Sequence, residues 1–540
     1  MSIQYFFGSC SASPVDAGFT SLSGGGNIAF NTTESSFQCI IPAAGTLSNF
    51  KVSVTVAPGA DKGRTFTVRL NGADSALSVT ISNTATVSSL DTSEVAVVAG
   101  DLVAIEQLSI NTPTAAGSVQ WTCSFTPTTA EENILIGNTA NTTLGTNRYS
   151  TPNSALDDSA TEFFGQIVMP CAGTLKNLYV KLTAGPGTSK TRTFTVRLNG
   201  DNTTCTTTIS TAETLGTDLT HTIAVVAGDL VTIYGTNNGT PAAAYGMFSM
   251  VFTPTTAGYY FTSLSGGDVL NKSATEYGCL NGATASFDAT ETEVQSRSPA
   301  VAIHAKAMYV NMSADPGTSP DAYSFTLRRN GTTNTALTVT VTADNKTGNI
   351  VQDVDLSADD LLSIEVVPLN TPSAAPSVQV SILFGPTEFN DSLILSGASA
   401  FTGDTVASFV ADTTLSGTAS ITGSAVAAFV SDTVLGGAAS FTGVAAADFV
   451  SGTTLSGTGT FVGAATAAFE AASSIAGSSS FAGSSAMATT QAVSLSANAN
   501  MNAAAQAGFA SASSFSATGS FLDDAIQVTA GNPLLLMGLN

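Results

Sequence analysis

The chain has 540 residues, 43% of them apolar and only 10% charged, and its 16 Lys+Arg against 39 Asp+Glu leave a net charge of −23. The last basic residue is Lys346, so the final 194 positions carry no cation to meet a phosphate backbone or an anionic headgroup, and neither nucleic acid nor a membrane surface is expected as a partner. The apolar content also excludes disorder of the charged kind.

In chain order, the first feature is a phrase used three times. Residues 65–72 read TFTVRLNG, residues 193–200 repeat it, and residues 324–331 read SFTLRRNG. Around it the landmarks stay in register. A Pro-Gly pair precedes each phrase (Pro58, Pro186, Pro316). An acidic turn follows (Asp101, Asp229, Asp360), and a proline closes each unit (Pro127, Pro254, Pro386). One domain used three times is the reading, with boundaries 1–130, 131–257 and 258–389.

Within the phrase, Phe66, Val68 and Leu70 alternate with Thr65, Thr67 and Arg69, the period of a half-buried strand. Asn71-Gly72 then marks a tight hairpin. Further runs at Phe37–Ile41, Phe50–Val56, Leu77–Ile81, Val95–Val98, Leu102–Ile105 and Val119–Phe125 give roughly eight short strands per unit, hence a β-sandwich or jelly roll. The third copy has drifted. Asp359 stands where the others have glycine, Arg329 replaces leucine, and Asn281 to Thr290 reads as a longer surface loop.

The order AGTL, alternating strand, Pro-Gly turn, TFTVRLNG, strand, VVAGDL resembles jelly-roll domains of the TNF/C1q type, and is similar to those of spore surfaces and phage fibres. The resemblance covers residues 1–389. It implies a homo-oligomer, a trimer, with three stacked jelly rolls. The three copies closing into a pseudo-trimer within one chain is the alternative.

A second repeat, 20 residues long, fills residues 390–522. Leu395, Leu415, Leu435, Leu455, Ile475, Leu495 and Phe515 share one position, and Phe401, Ile421, Phe441, Phe461, Phe481, Met501 and Phe521 another. The large apolar residues keep to odd positions, which is a β pattern. Such a strand must bury that face against copies of itself. Either three chains intertwine as a β fibre, the favoured reading because solenoid corners break alternation, or one chain coils as a β-solenoid. The composition resembles fibre segments of phage structural proteins. The tail, 523–540, with Leu534, Leu535 and Leu536, is a plug or a docking peptide.

No constellation for chemistry stands out, so no catalytic, cofactor-binding or metal residue is assigned and the chain is expected not to be an enzyme. His221 and His304 do not recur between units and read as structural. The six cysteines lack metal-ligand spacing and read as small core residues. Glu34, Glu162 and Glu293 recur after threonine, and with Asp101, Asp229 and Asp360 they suit structural turns and partners for Arg69, Arg197 and Arg328 better than a hydrolytic pair. Asp412 and Asp432 share a repeat position and read as solvated charges.

MSIQYFFGSC has no basic leader segment and no apolar run reaches membrane-spanning length, so assembly in a host cytoplasm is expected. Together these features and the resemblance imply a virion structural protein of a tailed phage: a fibre, spike or capsid-decorating protein. Its partners would be other virion proteins and host surface glycans. A cell- or spore-surface adhesin and a polysaccharide-degrading spike are the alternatives.

Overall fold

Each of the three sequence units folds two antiparallel sheets from its own strands, one over the other. The computed structural model describes residues 3–386 apart from 11–16, 25–29, 140–141, 157 and 284–286, and beyond that only the backbone of the strands. Counting the eight main strands of a unit in chain order, one sheet runs 1-8-3-6 and the other 2-7-4-5. That is the strand order of a jelly roll, and it is the same in all three units. In the first, Gln4–Cys10, Val119–Pro127, Gly45–Val54 and Val95–Val97 face Ala17–Thr20, Leu102–Ile110, Gly59–Leu70 and Ala73–Asn83.

The alternation read from the sequence sorts the side chains as expected. Phe66 and Val68 are buried against Leu77, Val79, Ile81 and Trp121, while Arg69 lies on the outer face. Asn71 and Gly72 both take positive φ (52° and 79°), as do Asn199 with Gly200 and Asn330 with Gly331, so each phrase ends in a tight hairpin. The Asn71 amide donates to Asp101 (2.8 Å) and its carbonyl accepts from the Leu102 N–H (2.9 Å). Asn199 with Asp229 and Asn330 with Asp360 repeat the arrangement. The recurrent aspartates therefore clamp the hairpin to the next turn.

Two sequence expectations change here. The strand expected over Phe37–Ile41 is only Cys39–Ile40, because Glu34–Ser36 turns as a 3-10 helix before it. The segment from Asn281 does not begin as a surface loop: Asn281 is 2% exposed and its amide donates to the Ser23 carbonyl of the first sandwich. Gly282–Ala283 pairs with Leu264–Ser265.

The three sandwiches do not stack; they close into a ring. In each, a short strand after the helical turn (Cys39–Ile40, Ile167–Val168, Ser296–Arg297) packs on the opening and closing strands of another sandwich. Cys39–Ile40 meets Asn133–Asn138 and Gly246–Pro254 of the second. Ile167–Val168 meets Tyr260–Val269 and Ser377–Gly385 of the third, and Ser296–Arg297 meets Gln4–Cys10 and Val119–Pro127 of the first. One heterologous contact is thus used three times and closes, which is the geometry of a cyclic trimer. The pseudo-trimer within one chain is what the structure holds.

The cores follow the same cycle. Ile134, Ile136 and Val251 of the second sandwich belong to the core of the first. Phe261 and Leu383 of the third belong to that of the second, and Phe7 of the first to that of the third. Phe7 stacks on Phe384 with ring centroids 5.0 Å apart. Polar contacts seal the seams. Gln4 exchanges two hydrogen bonds with the Ile134 backbone (2.9 and 2.8 Å), and Arg297 donates to Ser53 (2.9 Å). Lys51 pairs with Asp359 at 2.7 Å across 308 residues of sequence. Asp359 is the residue that replaces a turn glycine, and it keeps the positive φ (66°) that glycine adopts at 100 and 228. A left-handed aspartate costs about 1 kcal/mol, and its carboxylate is what reaches Lys51 and Arg297 of the seam.

From Pro386 the chain forms a second compact unit. Its strands pair in parallel at a step of 20 residues: Leu395 beside Leu415, Phe401 beside Ile421, then Phe441, Phe461, Phe481 and Met501 in one ladder. Phe409, Phe429, Phe449 and Phe469 form another, in a second sheet. One chain coiling on itself is the solenoid, and the intertwined fibre is corrected. The step of 20 is even, so each residue of a described strand pairs with one of the same parity in the next rung, and the period-two pattern persists along the coil. The coil takes in Glu388–Phe389 before the 390–522 stretch. After it, Leu535–Leu536 pairs beside Ser514–Phe515, so the tail supplies a last rung.

Candidate functional site

The residues that recur for a reason other than the core converge on one arginine per sandwich. Arg69, Arg197 and Arg328 end the repeated strand on its outer face, where the hairpin brings the chain back and the helical turn lies alongside. Arg197 donates to Glu162 through Nε (2.8 Å) and a terminal nitrogen (3.2 Å), and to Asn202 (2.6 Å). Arg69 donates to Glu34 (3.4 and 3.3 Å), Asp74 (2.5 Å) and Glu106 (3.4 Å). Arg328 donates to Glu291 (3.1 Å), Glu365 (2.6 Å) and Asn334 (3.1 Å). Each arginine also donates to the hairpin glycine carbonyl, at Gly72, Gly200 and Gly331.

The third glutamate is Glu291, two residues before the expected Glu293. The Thr-Glu pair occurs twice there, and the 3-10 turn of Glu291–Glu293 brings the first glutamate to the arginine. Asp101, Asp229 and Asp360 serve the hairpin asparagines, as above. The second carboxylates, Glu106 and Glu365, carry no signal in the spacing along the chain. They sit on the seventh strand opposite Thr67 and Thr326, a cross-strand relation that only the register reveals.

Burial opposes the charge on Arg69 and Arg328, yet their carboxylates outweigh it and raise both above the ordinary arginine value. Burial raises Glu106, and Arg69 offsets part of that. Aromatic rings complete each cluster. Arg69 lies over Phe19 (5.7 Å), Arg328 over Tyr277 (5.4 Å), and Arg197 over both Tyr149 (5.9 Å) and Tyr234 (5.5 Å). Each arginine is a bonded partner to its carboxylates, two or more for Arg69 and Arg328 and Glu162 for Arg197, and orients them on the outer sheet.

The two histidines lie elsewhere. His221 is half-exposed beside Asp218, its Nδ1 2.8 Å from the carboxylate. His304 stands 3.2 Å from Asp353 and 3.0 Å from Asp355, a grouping compact enough for a metal ion, but the Lys306 ammonium already holds Asp353 at 2.6 Å. Cys39, Cys123, Cys171, Cys205 and Cys279 are free thiols, four of them buried. Burial pushes Cys123 up to about 12. The side chain of Cys10, and Asp412 and Asp432, lie outside the described residues.

Asp218 gives a pH prediction. Burial opposes its charge, but the Thr206 N–H, the His221 side chain and the Thr220 and His221 N–H groups outweigh burial and hold it well below the ordinary carboxylate range. A depressed folded pKa gives stability that is present above the unfolded value, about 3.9, and lost as pH falls toward the folded one. Asp218→Asn is expected to cost about 1–3 kcal/mol at neutral pH. It is also expected to flatten the acid limb of the stability curve, read by thermal melts from pH 7 to about 3. An unchanged acid limb would contradict the clamp.

No protein-family model matches the chain, and no curated protein matches it either.

Proposed function

We propose that this chain is a structural attachment protein of a virion, of the fibre, spike or capsid-decorating kind carried by tailed phages. The observation that supports this best is the division of labour along the chain. The described strands up to Gly385 close three jelly rolls into a ring with shared cores, and those from Glu388 on coil as a repetitive solenoid. Both parts are built by multiplying sheet modules, and the recurrent charged residues brace hairpins and seams. Rigid repeated sheets suit a protein that bears load and displays surface. The threefold closure supports a head that needs no sister chains to complete it, so one chain takes the place of the expected homotrimer. Its partners in this reading are other virion proteins at one end and host surface glycans at the other, and its location is the virion.

The test is mass spectrometry and immunogold microscopy of purified particles from the producing host. The chain should co-purify with particles in a fixed copy number and label a discrete site on them. A chain absent from particles and found on the host cell surface would overturn the proposal in favour of an adhesin.

A further inference from the structure

The three outer faces share one framework, and one position of it sets the second apart from the other two. A cross-strand row runs Phe19–Glu106–Thr67–Ser78 in the first sandwich and Tyr277–Glu365–Thr326–Thr338 in the third. In the second it runs Tyr149–Tyr234–Thr195–Thr206. Where two faces carry a glutamate that reaches the arginine, the second carries a tyrosine. Its ring stacks on Tyr149, centroids 4.7 Å apart and planes 25° apart, and both rings are half-buried.

Charge follows the same division. Arg69 is met by three carboxylates and Arg328 by two, so both faces hold surplus negative charge. Among the described residues Glu162 is the one carboxylate paired with Arg197, so the charges of that cluster balance. Beside the tyrosines, the Thr195 and Thr206 hydroxyls lie 2.9 Å apart on an exposed sheet surface. The fold does not require Tyr234, because glutamate occupies its place twice in the same architecture.

We propose that the outer face of the second sandwich binds a neutral saccharide. Sugars present apolar C–H faces that pack on aromatic rings and hydroxyls that exchange hydrogen bonds with hydroxyl and carboxylate groups. Tyr149 and Tyr234 supply the first, and Thr195, Thr206 and Glu162 the second. Arg197 holds the carboxylate in place and cancels its charge. Anionic sugars are disfavoured by a chain of net charge −23, and the two acidic faces of the ring repel them more strongly. This deepens the attachment reading and rests on it for its biological sense.

The experiment titrates the full chain with neutral oligosaccharides (gluco-, galacto-, manno- and N-acetylhexosamine oligomers) by calorimetry and saturation-transfer NMR, with sialylated and sulfated oligomers alongside. Tyr234→Glu installs the residue that the fold accepts in the other two sandwiches, so folding is preserved and checked by melting. At least one neutral oligomer should bind with Kd below about 10 mM, and Tyr234→Glu and Tyr149→Ala should each weaken it about tenfold or more. No binding, binding that Tyr234→Glu leaves unchanged, or binding of the anionic oligomers alone would overturn the site. Binding by a chain that is absent from virions would leave the site standing and overturn the attachment reading; a virion chain that binds no neutral sugar would do the reverse.

Discussion

Phe7→Ala is expected to destabilise the ring by about 3–5 kcal/mol, and the damage is expected in the third sandwich, around Phe384, 377 residues further along the chain (384 − 7). Phe7 is fully buried and belongs to the core of the third sandwich, where it stacks on Phe384; Tyr260 also stacks on Phe384, its centroid 5.4 Å away. Truncation removes a large ring from a packed seam and leaves a cavity that two rigid sheets are poorly able to collapse. Denaturant melts read the loss, and hydrogen exchange locates it: amides of Ser377–Gly385 should lose protection together with those of Gln4–Cys10. Loss confined to the first sandwich would mean that the seam carries no energy.

The second large effect concerns volume traded across a strand pair. Gly8 lies opposite Trp121, and Leu264 opposite Val380. A Cβ on Gly8 would sit inside the Trp121 indole, so the large residue on one strand dictates the absence of a side chain on the other. The third sandwich solves the same space with two middle-sized residues, both fully buried. Gly8→Leu alone is expected to cost about 3 kcal/mol or more by overpacking. Trp121→Val alone is expected to cost about 3 kcal/mol by leaving a cavity. Together they reproduce the third sandwich, and the pair should recover about 2–3 kcal/mol of the summed loss in a double-mutant cycle. Simple additivity would mean that the two positions do not share the space.

Much of the fold was legible because local chemistry decides it. Period-two alternation placed Phe66 and Val68 inward, and Asn-Gly turned the chain back three times. The ring is legible only as the alternative to stacking, for a physical reason. On Val119–Pro127, Thr122 and Ser124 alternate with Trp121 and Phe125, and small hydroxyl residues in that pattern read as facing water. They are 1% and 0% exposed, because the outer face of each such sheet is covered by another sandwich. Ser249 and Ser381 repeat the same false signal at 0%. Sequence alternation reports which residues leave their own core. It does not report whether they enter someone else's.

The arginine clusters were half legible. Glu34 and Glu162 showed themselves by recurrence, whereas the third partner was displaced two residues by a repeated Thr-Glu. Glu106, Tyr234 and Glu365 are not legible in the sequence because strand register, and not spacing along the chain, brings them to the arginines. The solenoid is only the alternative in the sequence because corners are expected to disturb parity; a pairing step of 20, an even number, keeps residues of one parity side by side.

The most direct test of the closed ring is a zero-length carbodiimide cross-link between Lys51 and Asp359, read by peptide mass spectrometry on the monomeric fraction of the full chain. Their side chains meet at 2.7 Å across the seam between the first and third sandwiches. The ring predicts this cross-link within single chains, and its loss in Lys51→Gln. Sandwiches laid end to end would hold these residues a whole domain apart, and cross-links found only between sequence-adjacent sandwiches, or only between separate chains, would contradict closure.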